Sequence, residues 1–207
     1  NRGGNRTGNH SSSSLRGFVE EGEVMELILD IGSGKSLHNI ERAKTMLYGV
    51  ATMDSHKHRI IFKAQLFQNA PPNIPLDYDA FYELYHYAAS LGYPMTASVF
   101  DKDSLVFLLR YKIPFVKIAC RPDLYWLIEE VPRKLPVYVS YDSEEHHDIV
   151  HSEWEHYNVE YFACVRQYPA DNAMYDVLIA EMNGDYDYEQ CISDHTEGWD
   201  LLRKYSP

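Results

Sequence analysis

The stretch Pro94–Ala119 reads PMTASVFDKDSLVFLLRYKIPFVKIA and contains one complete strand–helix–strand repeat. Pro94–Phe100 is a short apolar run of strand length, Lys102–Tyr111 is the helix after it, and Pro114–Ala119 (PFVKIA) is the next strand. The same alternation extends upstream. Met25–Ile31 (MELILDI) is a compact apolar run stopped by Gly32-Ser33-Gly34, and Leu37–Met53 carries Ile40, Ala43, Met46, Leu47 and Val50 at helical spacing. Arg59–Phe67 (RIIFKAQLF) is a second strand, Pro71–Pro75 a loop and Tyr78–Leu91 an aromatic-rich helix. Downstream come a helix over Asp123–Glu130, a strand over Leu135–Tyr141 and a charged helix over Glu144–Tyr157. A strand over Val159–Val165, a helix over Ala173–Met182, a strand over Tyr188–Ile192 and a last helix from Trp199 complete the series.

Strict alternation of strands and helices predicts a parallel sheet with crossover helices. A doubly wound sheet usually manages with five or six strands, and its first turn carries a phosphate-binding signature. A (β/α)8 barrel uses eight units over roughly 250 residues. Seven units over about 190 residues match a barrel better. The fold expected is therefore α/β, a TIM (β/α)8-type barrel that stops before its eighth strand.

The 207 residues suffice for one sizeable domain. Residues 1–17 are Gly, Ser, Asn and Arg with almost nothing apolar, which reads as a flexible leader ahead of a barrel domain over 18–207. Acids outnumber bases 31 to 19, a net charge of −12; beyond the acid-free leader the balance is 31 to 16, or −15. Such a chain repels phosphate backbones and anionic membrane surfaces, so neither nucleic acid nor membrane is an expected partner. A small anionic substrate needs a local pocket of positive charge. Hydrophobic content of 45% excludes general disorder. Cys120, Cys164 and Cys191 form no C-x-x-C pattern and suit a reducing, cytoplasmic setting. No run of eighteen apolar residues is present.

Two motifs are set aside. Gly32-Ser33-Gly34-Lys35-Ser36 resembles the end of a P-loop, but the glycine required ahead of it is replaced by Leu29 inside the strand. It reads as a turn, with Ser36 as N-cap of the following helix. His147 and His151 have the i, i+4 spacing that lets two imidazoles share a metal, yet Glu144, Glu145, Asp148, Glu153 and Glu155 surround them. With His146 and His156 they read as a solvated helix face, and His56 and His58 as surface residues.

The informative polar residues fall at strand C-termini, where a barrel builds its site. They are Asp30; Lys63 and Gln65; Ser98 and Asp101; Lys117 and Cys120; Ser140; Arg166; and His195. Lys63 and Lys117 interrupt apolar strands, and a lysine inside a buried strand is costly unless its ammonium meets an anion. Together with the hydroxyls of Ser98 and Ser140 they form the expected anion pocket; the competing reading pairs both lysines structurally with Asp30 or Asp101.

These residues resemble a known family. Phe62-Lys63-Ala64-Gln65, Ser98-Val99-Phe100-Asp101 with Ser104, Val116-Lys117-Ile118-Ala119, Val137–Ser140, Tyr168-Pro169 and Ser193-Asp194-His195-Thr196-Glu197-Gly198 occur in the order seen in sialic acid (N-acetylneuraminate) synthases, the NeuB family. The resemblance implies a (β/α)8 barrel that condenses phosphoenolpyruvate with N-acetylmannosamine or a related amino sugar at a divalent metal, manganese or magnesium. It implies that Lys63, Ser98, Lys117 and Ser140 hold phosphoenolpyruvate, that Asp30 and Gln65 are catalytic, and that His195 is a metal ligand. The second metal histidine is expected in a His-Cys pair at the end of strand six, where this chain has Ala163-Cys164. After strand four the family's Ser-Gly-Glu is Cys120-Arg121-Pro122. The metal is therefore expected to be weakly held or absent. The alternative function is a non-catalytic barrel that binds an anionic metabolite or serves as a scaffold.

Overall fold

The computed structural model describes residues 25–33, 39–56, 58–66, 74, 76–182 and 191–205. The leader over 1–17 and the turn with Ser36 lie outside them. Seven strands run β1 (Glu26–Gly32), β2 (Arg59–Leu66), β3 (Met95–Val99), β4 (Val116–Ile118), β5 (Val137–Tyr141), β6 (Val159–Cys164) and β7 (Cys191–Ser193). Between them lie α1 (Ile40–Met53), α2 (Tyr78–Ser90), α3 (Lys102–Leu108), α4 (Glu144–Trp154) and α5 (Asn172–Met182), with α6 (Asp200–Tyr205) last.

Every neighbouring pair is parallel and the spatial order is β1-β2-β3-β4-β5-β6-β7. A doubly wound sheet reverses its order at a switch point. This one never reverses, and that leaves the barrel architecture. The sheet is also curled. In a flat sheet β1 and β5 would lie about 19 Å apart, four strand spacings. Here Tyr138 on β5 donates from its hydroxyl to Glu26 Oε1 on β1 at 3.2 Å. Phe115, just before β4, stacks on Tyr138 at 3.9 Å, and Phe162 on β6 follows at 5.0 Å, so three neighbouring rings line the concave face.

Side chains i and i+2 of a strand share a face. This periodicity puts Lys63 and Gln65, Thr96 and Ser98, and Tyr138 and Ser140 on the inner face of the curl. The alternate residues Phe62, Ala64, Ala97, Val99, Val116, Ile118, Val137 and Val139 are buried in the main hydrophobic cluster beneath the helices. Helix α1 contributes Ala43 and Leu47, and α2 contributes Phe81, Leu84 and Ala88.

Some elements differ from the sequence expectation. Helix α1 begins at Ile40, and its N-cap is Asn39, whose side chain accepts from the backbone of Glu41 at 2.9 Å and of Arg42 at 3.4 Å. The segment expected as a helix over Asp123–Glu130 is a 3₁₀ helix over Pro122–Glu130. It starts on a proline that has no N–H to give, and its Arg121 N-cap makes no side-chain cap bond. The described part of strand β7 is Cys191–Ser193; the earlier part of the strand expected over Tyr188–Ile192, and the loop expected over Pro71–Pro75 except residue 74, lie outside the described residues. Helix α4 is not a uniformly solvated histidine face: His147 is 1% exposed and packs on Tyr141 and Tyr161, beside Val150 and Trp154. Among the described residues no helix is long and apolar enough to cross a membrane.

Candidate functional site

The pocket starts with a bulge. Asp30 pairs with Lys63 and Gly32 with Ala64, so Ile31 is an extra residue in β1. Gly32 has φ of +89°, a conformation that only glycine adopts without strain. The kink lets Asp30 Oδ1 accept from Gly32 N at 2.7 Å while Oδ2 faces the inner surface. That oxygen accepts from Lys63 Nζ at 2.6 Å and Gln65 Nε2 at 2.9 Å. Lys63 also donates to Ser98 Oγ at 3.0 Å. Burial pushes the Asp30 carboxyl up, but Lys63 and the Gln65 and Gly32 donors outweigh it and hold the group below the usual carboxylate range.

The second half centres on Lys117, which pairs in register with Ser98. Its ammonium donates to Ser140 Oγ and to the Ile118 carbonyl at 2.9 Å, and lies 5.3 Å from the Phe162 ring. Ser140 is braced from behind, because Tyr125 donates to its carbonyl at 2.8 Å. Among the described residues no carboxylate lies within ion-pair distance of Lys117. Desolvation, reinforced by the positive charge of Lys63, brings its pKa down to about 7. Asp101, the other candidate counter-ion, is occupied elsewhere: it caps α3, accepting from Ser104 N at 2.7 Å and Ser104 Oγ at 3.0 Å. The two lysines therefore divide. Lys63 is neutralised by Asp30, whereas Lys117 is a buried ammonium facing a hydroxyl and a carbonyl.

His195 stands on the β7 side, away from both lysines' hydrogen bonds. Its Nδ1 lies 2.6 Å from the Val165 carbonyl, which can only accept, so Nδ1 carries the proton. Nε2 then accepts from the Tyr168 hydroxyl at 2.6 Å, and the two rings stack at 3.9 Å. Cys164 Sγ is 3.9 Å from Nδ1. The neighbouring Cys120, His195 and Lys117 draw Cys164 toward thiolate, and Cys164 together with burial pushes Cys120 up. Asp142, whose charge also acts on Cys120, meets His146 Nδ1 and Arg166 Nε.

A divalent metal needs several convergent ligands. Among the described residues no three His, Cys, Asp or Glu side chains converge to hold one, and both nitrogens of His195 are engaged. These residues do not fit the metal that the resemblance implies. Ala163 is fully buried with Tyr141, Tyr175 and Ile179 on the helix side of β6, while Phe162 and Cys164 face inward. The Ala163 side chain thus packs on the helix side of the sheet rather than on its inner face.

The sequence residues thus form two groups in contact, Asp30–Lys63–Gln65–Ser98 and Lys117–Ser140, with His195 apart from them. Sequence reasoning quoted Tyr168 only within the Tyr168-Pro169 motif and gave it no role, and it missed Tyr125 and Asp142; Asp142 had a signal in its place two residues beyond Ser140, and Tyr125 had none.

A sequence model of the NeuB family matches residues 36–203. No curated protein matches the chain. Solved structures with a similar fold include an N-acetylneuraminic acid (sialic acid) synthetase from Leptospira borgpetersenii serovar Hardjo-bovis in complex with citrate, 19% identical with a TM-score of 0.66, covering 87% of this chain and 68% of that one. A Chromobacterium violaceum protein described as spore coat polysaccharide biosynthesis protein E is 18% identical with a TM-score of 0.68, over 85% of this chain and 59% of that one. Spore coat polysaccharide biosynthesis protein spsE of Bacillus subtilis is 18% identical with a TM-score of 0.63, over 86% and 55%. The chain thus spans between 55% and 68% of the length of these structures. At such identities the likeness establishes the fold, and the family rests on the sequence match over most of the chain: the protein belongs to the NeuB family.

Proposed function

We propose that the chain binds phosphoenolpyruvate between Lys63, Ser98, Lys117 and Ser140 and serves a sialic acid synthase-like reaction. In that reaction C3 of phosphoenolpyruvate bonds to the aldehyde carbon of N-acetylmannosamine or a related sugar, water adds at C2 and phosphate leaves. Lys117 carries the reading. A buried ammonium whose direct hydrogen-bond partners are a hydroxyl and a carbonyl is poorly stabilised until an anion reaches it. Ser98 and Ser140 are the adjacent hydroxyl donors, and Asp30 is the carboxylate that pairs with Lys63 while Gln65 donates to the same oxygen. The Leptospira synthetase, a relative in fold, was solved with citrate, itself a small polyanion.

A second reading, a non-catalytic barrel binding an anionic metabolite, is favoured by one observation: both nitrogens of His195 are occupied by Val165 and Tyr168. Calorimetric titration with phosphoenolpyruvate, with and without manganese, tests both. Binding that Lys63→Ala and Lys117→Ala each weaken by about tenfold or more is expected. Binding indifferent to both substitutions removes the pocket. Turnover with N-acetylmannosamine separates the synthase from the binder.

A further inference from the structure

We infer that Arg166 is a third cation of the anion pocket, held off the ligand in the free protein by a latch to Asp142. The inference rests on the anion-pocket reading and extends it to a residue that the pocket described so far does not use. Asp142 and Arg166 lie two residues beyond Ser140 and Cys164, inward-facing residues of the adjacent strands β5 and β6. Two extended residues cover about 7 Å. The Asp142–Arg166 ion pair, 2.6 Å from Nε to Oδ2, therefore stands one layer above the Lys117–Ser140 contact, at the strand C-termini. The two layers are electrostatically coupled, since Cys120 feels both Asp142 and Cys164, and Cys164 feels the charge of Lys117.

The pair is built to open. Asp142 has 17% of its side chain exposed and has a second partner in His146 Nδ1, so it stays hydrogen-bonded when the guanidinium leaves. Arg166 is 54% exposed on a long, solvated side chain. A guanidinium matches phosphate or carboxylate oxygens two at a time, which the two lysines cannot do. A ligand carrying both groups, as phosphoenolpyruvate does, offers one end to Lys63 and Lys117 and the other to Arg166. Exchange of one carboxylate for another anion conserves charge pairing, so closure over the ligand is inexpensive.

Phosphoenolpyruvate titration of the whole chain and of Arg166→Gln, Arg166→Lys, Asp142→Asn and the double Asp142→Asn/Arg166→Gln variant tests this. Arg166→Gln should weaken binding about tenfold and Arg166→Lys by less, because the charge stays and the fork is lost. Asp142→Asn should tighten binding about threefold, since Arg166 is released from its competitor; the double variant should bind like Arg166→Gln. A merely structural ion pair gives the opposite sign at Asp142, with both single variants weakening binding alike, and that result overturns the latch. So does an Arg166→Gln affinity within about twofold of the parent in a protein whose binding still needs Lys63 and Lys117; the pocket then survives and the latch falls. Should the parent show no binding, the latch requires it to emerge in Asp142→Asn, and silence there as well overturns pocket and latch together.

Discussion

Lys63 and Lys117 are alike in the sequence, each a cation interrupting an apolar strand, and unlike in the folded chain. Asp30 holds Lys63 as half of an ion pair, while Lys117 has Ser140, a carbonyl and a ring. Because desolvation brings Lys117 down to about 7, the free protein carries it only partly charged at neutral pH. An anion bound beside it favours the ammonium and raises its pKa. Between about pH 7 and 9 the ligand's phosphate is already fully ionised, so the proton gained on binding goes to the lysine. Binding should take up protons above pH 7 and weaken as pH rises toward 9, with proton uptake read from calorimetry in buffers of different ionisation enthalpy. The same measurement on Lys117→Met should show no uptake; uptake that persists there would place the titrating group elsewhere. The sequence discloses that both lysines are buried and inward-facing. It does not disclose which one has a counter-ion, because that depends on a one-residue bulge at Ile31 and on where Asp101 turns.

At the scale of elements, strand and helix order was legible among the described residues because most strands are short apolar runs, three of them opened by Pro94, Pro114 and Pro136, and the long helices have a clear spacing. What escaped depends on contacts between elements. The face of α4 looks solvated from its glutamates, yet His147 finds a slot between Tyr141 and Tyr161 that only the packing of β5 and β6 provides. Asp101 looks like an active-site acid at the end of β3 and is instead an N-cap, with its carboxylate bonded to the backbone and hydroxyl of Ser104. Asp101→Ala should therefore destabilise the chain by about 1–2 kcal/mol, as loss of a cap does, through the α3 terminus. Urea unfolding measures the stability loss, and phosphoenolpyruvate affinity should stay within about twofold of the parent. A tenfold loss of affinity with stability unchanged would return Asp101 to the pocket.

For the whole molecule, the sequence shows parallel repeats without showing that they curl, since alternation is equally compatible with an open sheet. Curvature is visible only in contacts between chain segments far apart, and the Tyr138–Glu26 bond joins residues 112 positions apart. Tyr138 is the keystone of that closure, with Phe115 and Phe162 stacked on either side of it and its hydroxyl reaching across to β1. The two parts of its role separate by substitution. Tyr138→Phe keeps the ring stack and loses one hydrogen bond, which should lower stability by about 1 kcal/mol. Tyr138→Ala removes the ring from the middle of the stack and should cost about 3 kcal/mol, because the flanking rings cannot collapse into the space. Denaturant midpoints of the two variants measure the difference. The consequence extends upward, since Tyr138 is two residues below Ser140 on the same face: a widened curl should also loosen the Lys117–Ser140 contact and weaken anion binding in Tyr138→Ala but not in Tyr138→Phe. Equal stability of the two variants would mean that the rings do not close the sheet, and the convergence of β1 with β5 would then need another cause.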